Sequence, residues 1–538
     1  MKLSLDLFDG VVPRLRPHLL KQQSAQRALN TKLWTGGAEP FKQPVLVQTF
    51  PAGAKKSIFR HGQGRTDENY WMSWTTDVDV ARGPVAGDTQ ERIYFTGDGV
   101  PKVTDASIAW ASSPYPSASY TLGLPSPSAA TLSSPAIAGT ATRIALVYVY
   151  VTAWGETGPP SAVSNLIDYY GGQTLTVTGL QTTPVGAYNV TKKYLYIAST
   201  DANGTTAYRF WKEVPVATAS TTGVIDFTLL SESVATPSLV APPADLFGIM
   251  AHPGGFMVGF TDRDIRRSEV FKPYGWPTAY RDPVPDSIVG GEILGTSVVV
   301  CTKGPTYLFT GNDPLNQTKT TLEGWQPCVS KRSIDRVTAG VVYASADGLV
   351  LVSGAQALQV VTANHFTRSQ WQAFKPEDSH SAVHDDRYYW WWDNGTTRGL
   401  LIFEMGGGGV QQIVESDIHA TAAFADHRKD ELYLALANGN LYKWDAGTAA
   451  TMVWRSKLFH LERPQNVGAV RIDAEAYPVT FRLYGDGILV DTVTVASQEP
   501  ATLRGDERYR DFEFEIEAVA MVNTLAVASS VLDLRNGD

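Results

Sequence analysis

The sequence predicts an all-β protein built on a β-propeller that is split along the chain, and three observations predict it. The 538 residues include 47 Gly and 31 Pro, with 11% aromatics; Val, Thr and Tyr are frequent and long 3.6-period stripes almost absent, the profile of strands joined by many turns. From about residue 250 to 447, units of apolar strand, polar turn and second strand recur, as in "GTSVVVCTKGPTYLFTG", "AGVVYASADGLVLVSG" and "DELYLALANGNLYKWD". Their turn glycines, Gly304, Gly348, Gly395 and Gly439, are 44, 47 and 44 residues apart, and the Asp262 turn precedes Gly304 by 42. A period in the forties is that of a four-stranded propeller blade. A comparable hairpin lies far upstream, over residues 68 to 104, and supplies a sixth blade or part of a sixth and a seventh; the propeller is then interrupted by whatever lies between.

Taken in order, residues 1–50 read as an N-terminal arm with a short helix, because "PHLLKQQSAQRALNTKLW" places Leu19, Leu20, Ala25 and Leu29 loosely on one side before Gly36 and Gly37 stop it. Residues 51–115 form the first propeller part. Residues 116–140 are a Pro/Ser-rich linker with little apolar content. Over 141–245, Val147, Val149 and Val151 alternate with Tyr148, Tyr150 and Thr152 in a strand that ends at a Gly/Pro turn. That strand and turn, with Ala153, Gly155, Glu156 and Ser161, resemble a fibronectin type III domain, which implies an inserted sandwich. Residues 246–450 carry the remaining blades. In 451–538, Val479, Phe481 and Leu483 alternate with Thr480, Arg482 and Tyr484, and Phe512, Phe514 and Ile516 with Glu513, Glu515 and Glu517. Each strand buries one face, as in a C-terminal antiparallel β-sandwich.

Composition narrows the function. With 54 acidic against 45 basic residues the net charge is −9, so the chain carries no overall footprint for holding nucleic acid. No apolar run approaches the roughly 20 residues of a membrane helix, and "MKLSLDLFDGVVPRLRP" lacks a signal-peptide apolar region, so secretion by the usual route is not expected. Cys301 and Cys328 form no disulfide framework; they suit a reducing cytosol and read as small core residues.

The candidate sites weigh toward architecture. In "DRYYWWWDNG" the rings of Tyr388, Trp390 and Trp392 point one way and those of Tyr389 and Trp391 the other. A blade is covered on both faces, so both rows are expected as core; a stacking platform for sugars or bases needs one row exposed. His380 and His384 on one strand stand roughly 13 Å apart, too far for one ion. No G-x-x-x-x-G-K-S/T, G-x-S-x-G or H-E-x-x-H occurs, and the repeating boxes of sialidase-type propellers are missing. The RGD at 504–506 carries no adhesive meaning on its own. The expectation is a non-enzyme with no cofactor and no metal.

The N-terminal stretch "FDGVVPRLRPHLLKQQSAQRALNTKLWTGGAEPFKQP" resembles the opening of the tail nozzle proteins of short-tailed bacteriophages, also called tail tubular protein B. The features shared are Gly10, Pro13, Ala25, Ala28, Asn30, Gly36, Gly37 and Pro40. The closing segment "WRSKLFHLERPQNVGAVRIDAEAYPVTFRLYGDG" is similar to phage tail-protein C-termini. The resemblance implies a virion structural protein of the tail: a homo-hexameric ring below portal and adaptor that extends the DNA ejection channel, passes the genome transiently and docks tail fibres or spikes. It implies an adaptor contact or ring brace at Pro13, Arg14, Arg16, Leu19, Leu20 and Asn30, against a strap across the propeller's own surface. The competing readings are a carbohydrate-binding or depolymerising tail protein and a bacterial β-propeller adhesin.

Overall fold

A computed structural model describes residues 2–61, 70–200, 206–234, 238–354, 357–406, 408–504 and 507–535. The chain is all-β, a split propeller with one sandwich inserted into it and a second at the C-terminus. Among the described residues, seven antiparallel sheets follow one another around the propeller. Blade 1 pairs Ser57–Arg60 with Trp71–Trp74. Blade 2 starts at Asp79–Arg82 and ends at Tyr120–Thr121. After the insertion come blade 3 (Phe247–His252 to Arg281–Pro283), blade 4 (Ile288–Leu294 to Thr318–Thr321) and blade 5 (Asp335–Val337 to Leu358–Val360). Blade 6 runs from His380–His384 to Gly409–Ser416, and blade 7 starts at Ala420–Asp426.

The first strand of each blade touches the first strand of the next from blade 2 through to blade 7, and the first strand of blade 7 touches that of blade 1. Blades 1 and 2 share an apolar cluster of Phe59, Met72 and Trp74 with Ile93 and Phe95, which closes the ring. Blade 7 takes its fourth strand, Val45–Gln48, from the N-terminal arm. The upstream hairpin therefore serves two blades: Trp71–Trp74 belongs to the first, Asp79–Arg82 to the second.

The insertion leaves at the end of blade 2 and returns at the start of blade 3. It is a β-sandwich in which Thr131–Ser133, Thr174–Thr178 and Thr221–Val224 face Leu146–Thr152, Val190–Thr200 and Thr206–Pro215. Leu132, Tyr148, Leu175 and Ile197 fill the space between. The stretch expected as linker is partly strand: Tyr120–Thr121 completes blade 2 and Thr131–Ser133 joins the sandwich. Ladder bonds at a sheet edge need little apolar content, and composition alone does not exclude them.

In the C-terminal sandwich Val479, Phe481 and Leu483 are buried as the alternation predicts, but Glu513 and Glu515, expected on a wetted face, are buried too: Arg455 covers Glu513, and Arg482 bonds Glu515 at 2.8 Å and Glu517 at 2.7 Å. Its two sheets recruit the arm, Lys2–Leu5 beside Val522–Ala528 and Ala25–Leu29 beside Met452–Ser456.

That arm corrects the expected helix. Over the stretch read as helical only Pro17–Leu19 forms a single 3-10 turn, and Ala25–Leu29 is a strand. The misleading signal has a physical cause. A bulge between Ala25 and Arg27 leaves Ala25 opposite Ser456 and Ala28 opposite Trp454. One extra residue turns a period of two into a spacing of three, so both alanines reach the buried face as they would on a helix.

Candidate functional site

Apart from Pro13, the arm residues on which the resemblance rests converge on the seam between propeller and C-terminal sandwich. Gly10 packs against the Ile413 backbone, where any side chain would collide, and Val11 N–H donates to Ile413 O at 2.9 Å. Ala25 and Ala28 are fully covered by the sandwich. Asn30 adopts φ of 52°, the left-handed region in which Asn is the favoured residue after Gly. Its Oδ1 accepts from Ser416 Oγ at 2.8 Å and from Asp417 N–H at 3.3 Å, and its own N–H donates to Glu415 O at 2.7 Å. Gly36 turns the chain at φ of 91°, and Ala38 exchanges two backbone hydrogen bonds with Val522. Trp454 Nε1 donates to Asp9 O at 3.1 Å across the same seam.

The six residues expected at an interface divide. Pro13, Arg14, Arg16 and Leu19 lie together on one exposed loop, with Leu19 59% exposed. That loop is held from beneath: Arg14 N–H donates to His365 O at 2.8 Å, Arg14 Nη1 donates to Ala363 O, and Gln370 Nε2 donates to Pro13 O at 2.8 Å. Leu20 and Asn30 are buried, at 4% exposure each, so their place is inside the seam and not on a contact surface. The arm straps the chain's own body, and the loop between Val12 and Leu20 is its longest exposed run, beside separate exposed positions such as Leu7 and Leu46.

A second site, unmarked by any motif, is the propeller's central channel. Two adjoining cavities of about 650 Å³ and 620 Å³ are lined by the first strands of the blades, including Glu292, Asp335, Arg336 and Asp79. The 3-10 turn Lys331–Ser333 brings Lys331 to Asp77 at 3.0 Å and Asp79 at 2.7 Å, which joins blade 5 to blade 2. Burial alone would lower the Lys331 ammonium, but the two carboxylates outweigh it and hold it above the ordinary lysine value. Arg332 Nη2 donates to Lys56 O and Thr421 O, both at 2.7 Å. Arg60 and Asp426, each nearly fully buried, pair at 2.6 Å between blades 1 and 7.

Just after the same turn, burial pushes the Asp335 carboxyl up to about 7; Ser381 Oγ opposes this by donating to it, and the charge of Glu292 adds to it. Glu292 is also raised by burial, against the Ile293 N–H and Arg336. The channel therefore holds a carboxyl able to exchange a proton near neutral pH, and His384 and His427 line the same cavity. These residues escaped sequence reading because they come from different blades, Glu292, Asp335 and Ser381 from neighbouring ones and Asp79 from one more than 200 positions upstream. Their only linear sign is a charge inside an otherwise apolar strand.

The aromatic run is core. Tyr388, Tyr389, Trp390 and Trp391 are at most 4% exposed; Trp390 stacks on Trp371 at 4.5 Å, Trp391 on His380 at 5.3 Å. Trp392 is half-buried. His380 is thus a packing partner, while His384 faces Asp430 at 3.8 Å. Cys301 and Cys328 are buried free thiols in one cluster between blades 4 and 5. Gly505 and Asp506 of the RGD triplet lie outside the described residues. Among the described residues no helix is long and apolar enough to cross a membrane.

No family model matches the chain, and no curated protein matches it. Solved structures similar to it include the extracellular domain of the two component system protein BT4673 from B. thetaiotaomicron, at 8% identity and a TM-score of 0.29 over 80% of this chain. The chain spans 42% of that structure's length. A WD40 domain from Toxoplasma gondii coronin (12% identity, TM-score 0.24, 60% of this chain and 87% of that one) and Kluyvelomyces marxianus Hsv2 (8%, 0.24, 60% and 79%) are also similar. Scores this low carry no argument, and the propeller rests on the chain's own seven sheets.

Proposed function

We propose that this chain is a structural protein of the virion, the tail nozzle of a short-tailed phage, which assembles as a homo-hexameric ring below portal and adaptor and docks tail fibres or spikes. One observation carries the reading. Of the residues on which the resemblance to the nozzle family rests, Gly10, Ala25, Ala28, Asn30, Gly36 and Gly37 lie in the seam that stitches the arm to blade 6 and to the C-terminal sandwich, while Pro13 lies on the exposed loop. What the resemblance picks out in sequence is therefore the joint that makes two domains one stiff body. A stiff body with broad lateral faces and few free edges suits a closed ring. The loop carrying Arg14, Arg16 and Leu19 is the surface offered to the adaptor, and a net charge of −9 per chain keeps the passing DNA from adhering.

The test is cryo-EM of particles and of the purified chain mixed with adaptor-bearing capsids. The expected result is six copies traced below the adaptor, with an Arg14→Ser/Leu19→Ser double variant folding normally yet leaving particles without tail tips. A chain that stays monomeric beside such capsids, or a lumen rich in Lys and Arg, would count against the reading.

A further inference from the structure

Between the arm and blades 6 and 7 lies a cleft of about 490 Å³, within the size range of small-molecule sites. Phe41, Tyr389 and Trp444 form its buried floor, with Trp444 5.3 Å from Phe41 and 6.1 Å from Tyr389. Trp34 stands half-buried at the rim, with the Arg387 guanidinium stacked 4.3 Å from its ring.

The charges around this floor are held in opposite pairs. Lys32 Nζ sits between Glu39 at 3.3 Å and Asp445 at 2.7 Å, and Lys443 pairs with Glu431 at 2.6 Å. Arg387 is held by Asp385 and, at 3.9 Å, by Glu404. Five carboxylates against three cations leave no positive field that would select a phosphate or a polyanion. Pairing also fixes carboxylate oxygens beside ammonium and guanidinium groups, so a hydrogen-bond acceptor and a donor stand side by side at several points next to aromatic surface. A ring bearing vicinal hydroxyls meets such an array best. One hydroxyl donates to the carboxylate, its neighbour accepts from the cation, and the ring's C–H face lies against the half-buried Trp34 at the rim, which the buried floor supports.

We propose that this cleft binds a neutral glycan, one or two pyranose units of a surface polysaccharide. The site is non-catalytic, and it stands whether or not the chain forms a ring.

The purified full-length chain is tested on an array of neutral hexose and N-acetylhexosamine oligosaccharides beside sulfated and uronic-acid ones, with hits measured by calorimetry. Neutral glycans are expected to bind, and Glu431→Gln, Lys443→Met and Trp34→Ala each to weaken them about tenfold with an unchanged melting curve. Glu431→Gln preserves side-chain shape at the rim, so it decides the matter if Trp34→Ala misfolds. The proposal is overturned if no neutral glycan binds, if binding survives Glu431→Gln undiminished, or if only anionic glycans bind and salt abolishes it.

Discussion

Asn30 illustrates what a single residue carries here. Its left-handed backbone, its two acceptor bonds and the donation from its Nδ2 to Thr451 O at 3.4 Å together suit Asn, since Asp could take the backbone and accept but could not donate. Asn30→Ala strands Ser416 Oγ and strains the turn, an expected loss of roughly 2–4 kcal/mol in urea unfolding; a loss under about 0.5 kcal/mol would mean the seam does not depend on it. The channel carboxyls predict a pH dependence. Asp335, up to about 7, and Glu292, also raised, favour their protonated forms in the fold, so their contribution is fully present below their unfolded values near pH 4 and is lost as pH rises toward 7. Glu156, raised to about 7 by burial against the pull of Arg92, adds the same sign. An Asp335→Asn/Glu292→Gln variant should flatten the pH 4–7 stability slope relative to wild type by about 1–3 kcal/mol; an unaltered slope would remove the channel from the account. At this scale the Tyr/Trp run was legible because strand alternation and a blade covered on both faces leave it nowhere to be exposed, whereas Asp335 was not, since its neighbours Glu292 and Ser381 come from other blades.

Among the elements, the repeats were the most legible. Strands such as Ser297–Thr302 and Gly340–Ala344 need only a short continuous apolar run and a turn, both written in consecutive residues. Ala25–Leu29 was illegible because its conformation is set by partners more than 400 positions away and its bulge imitates a helix. Removal of residues 1–40 tests its weight. It takes away Lys2–Leu5 and Ala25–Leu29 together with buried Leu5, Phe8, Val11 and Leu33. At about 1.5–3 kcal/mol for each large apolar side chain, that loss reaches the whole margin of an ordinary domain. The truncated chain is expected to be insoluble or to lose its cooperative melt, while the loop variants Arg14→Ser and Leu19→Ser melt as wild type; a soluble, cooperatively melting truncation would show the arm to be an accessory.

For the whole molecule, propeller, insertion and C-terminal sandwich could be read in order from the sequence, but not the way the arm threads two of them. The insertion leaves blade 2 and re-enters at blade 3, which are neighbours in the ring, so its excision should leave a closed propeller. Replacement of residues 125–243 by a short Gly/Ser linker is expected to keep one cooperative transition, with the melting temperature lowered by the loss of the Arg92–Glu156 contact at 2.6 Å. A non-cooperative melt would make the sandwich an integral wall of the disc.

Blade 7 is finished by a strand the ribosome makes early. Val45–Gln48 emerges long before its partner Leu441–Lys443, and Lys2–Leu5 waits longer still for Val522–Ala528. At about 5–20 residues per second, the roughly 400 residues between the partners of blade 7 take about 20 to 80 seconds to synthesise. Throughout that interval the nascent chain carries unpaired strands and an open ring, so a message cut short before the codon for Lys443 yields a product whose seventh blade cannot be completed.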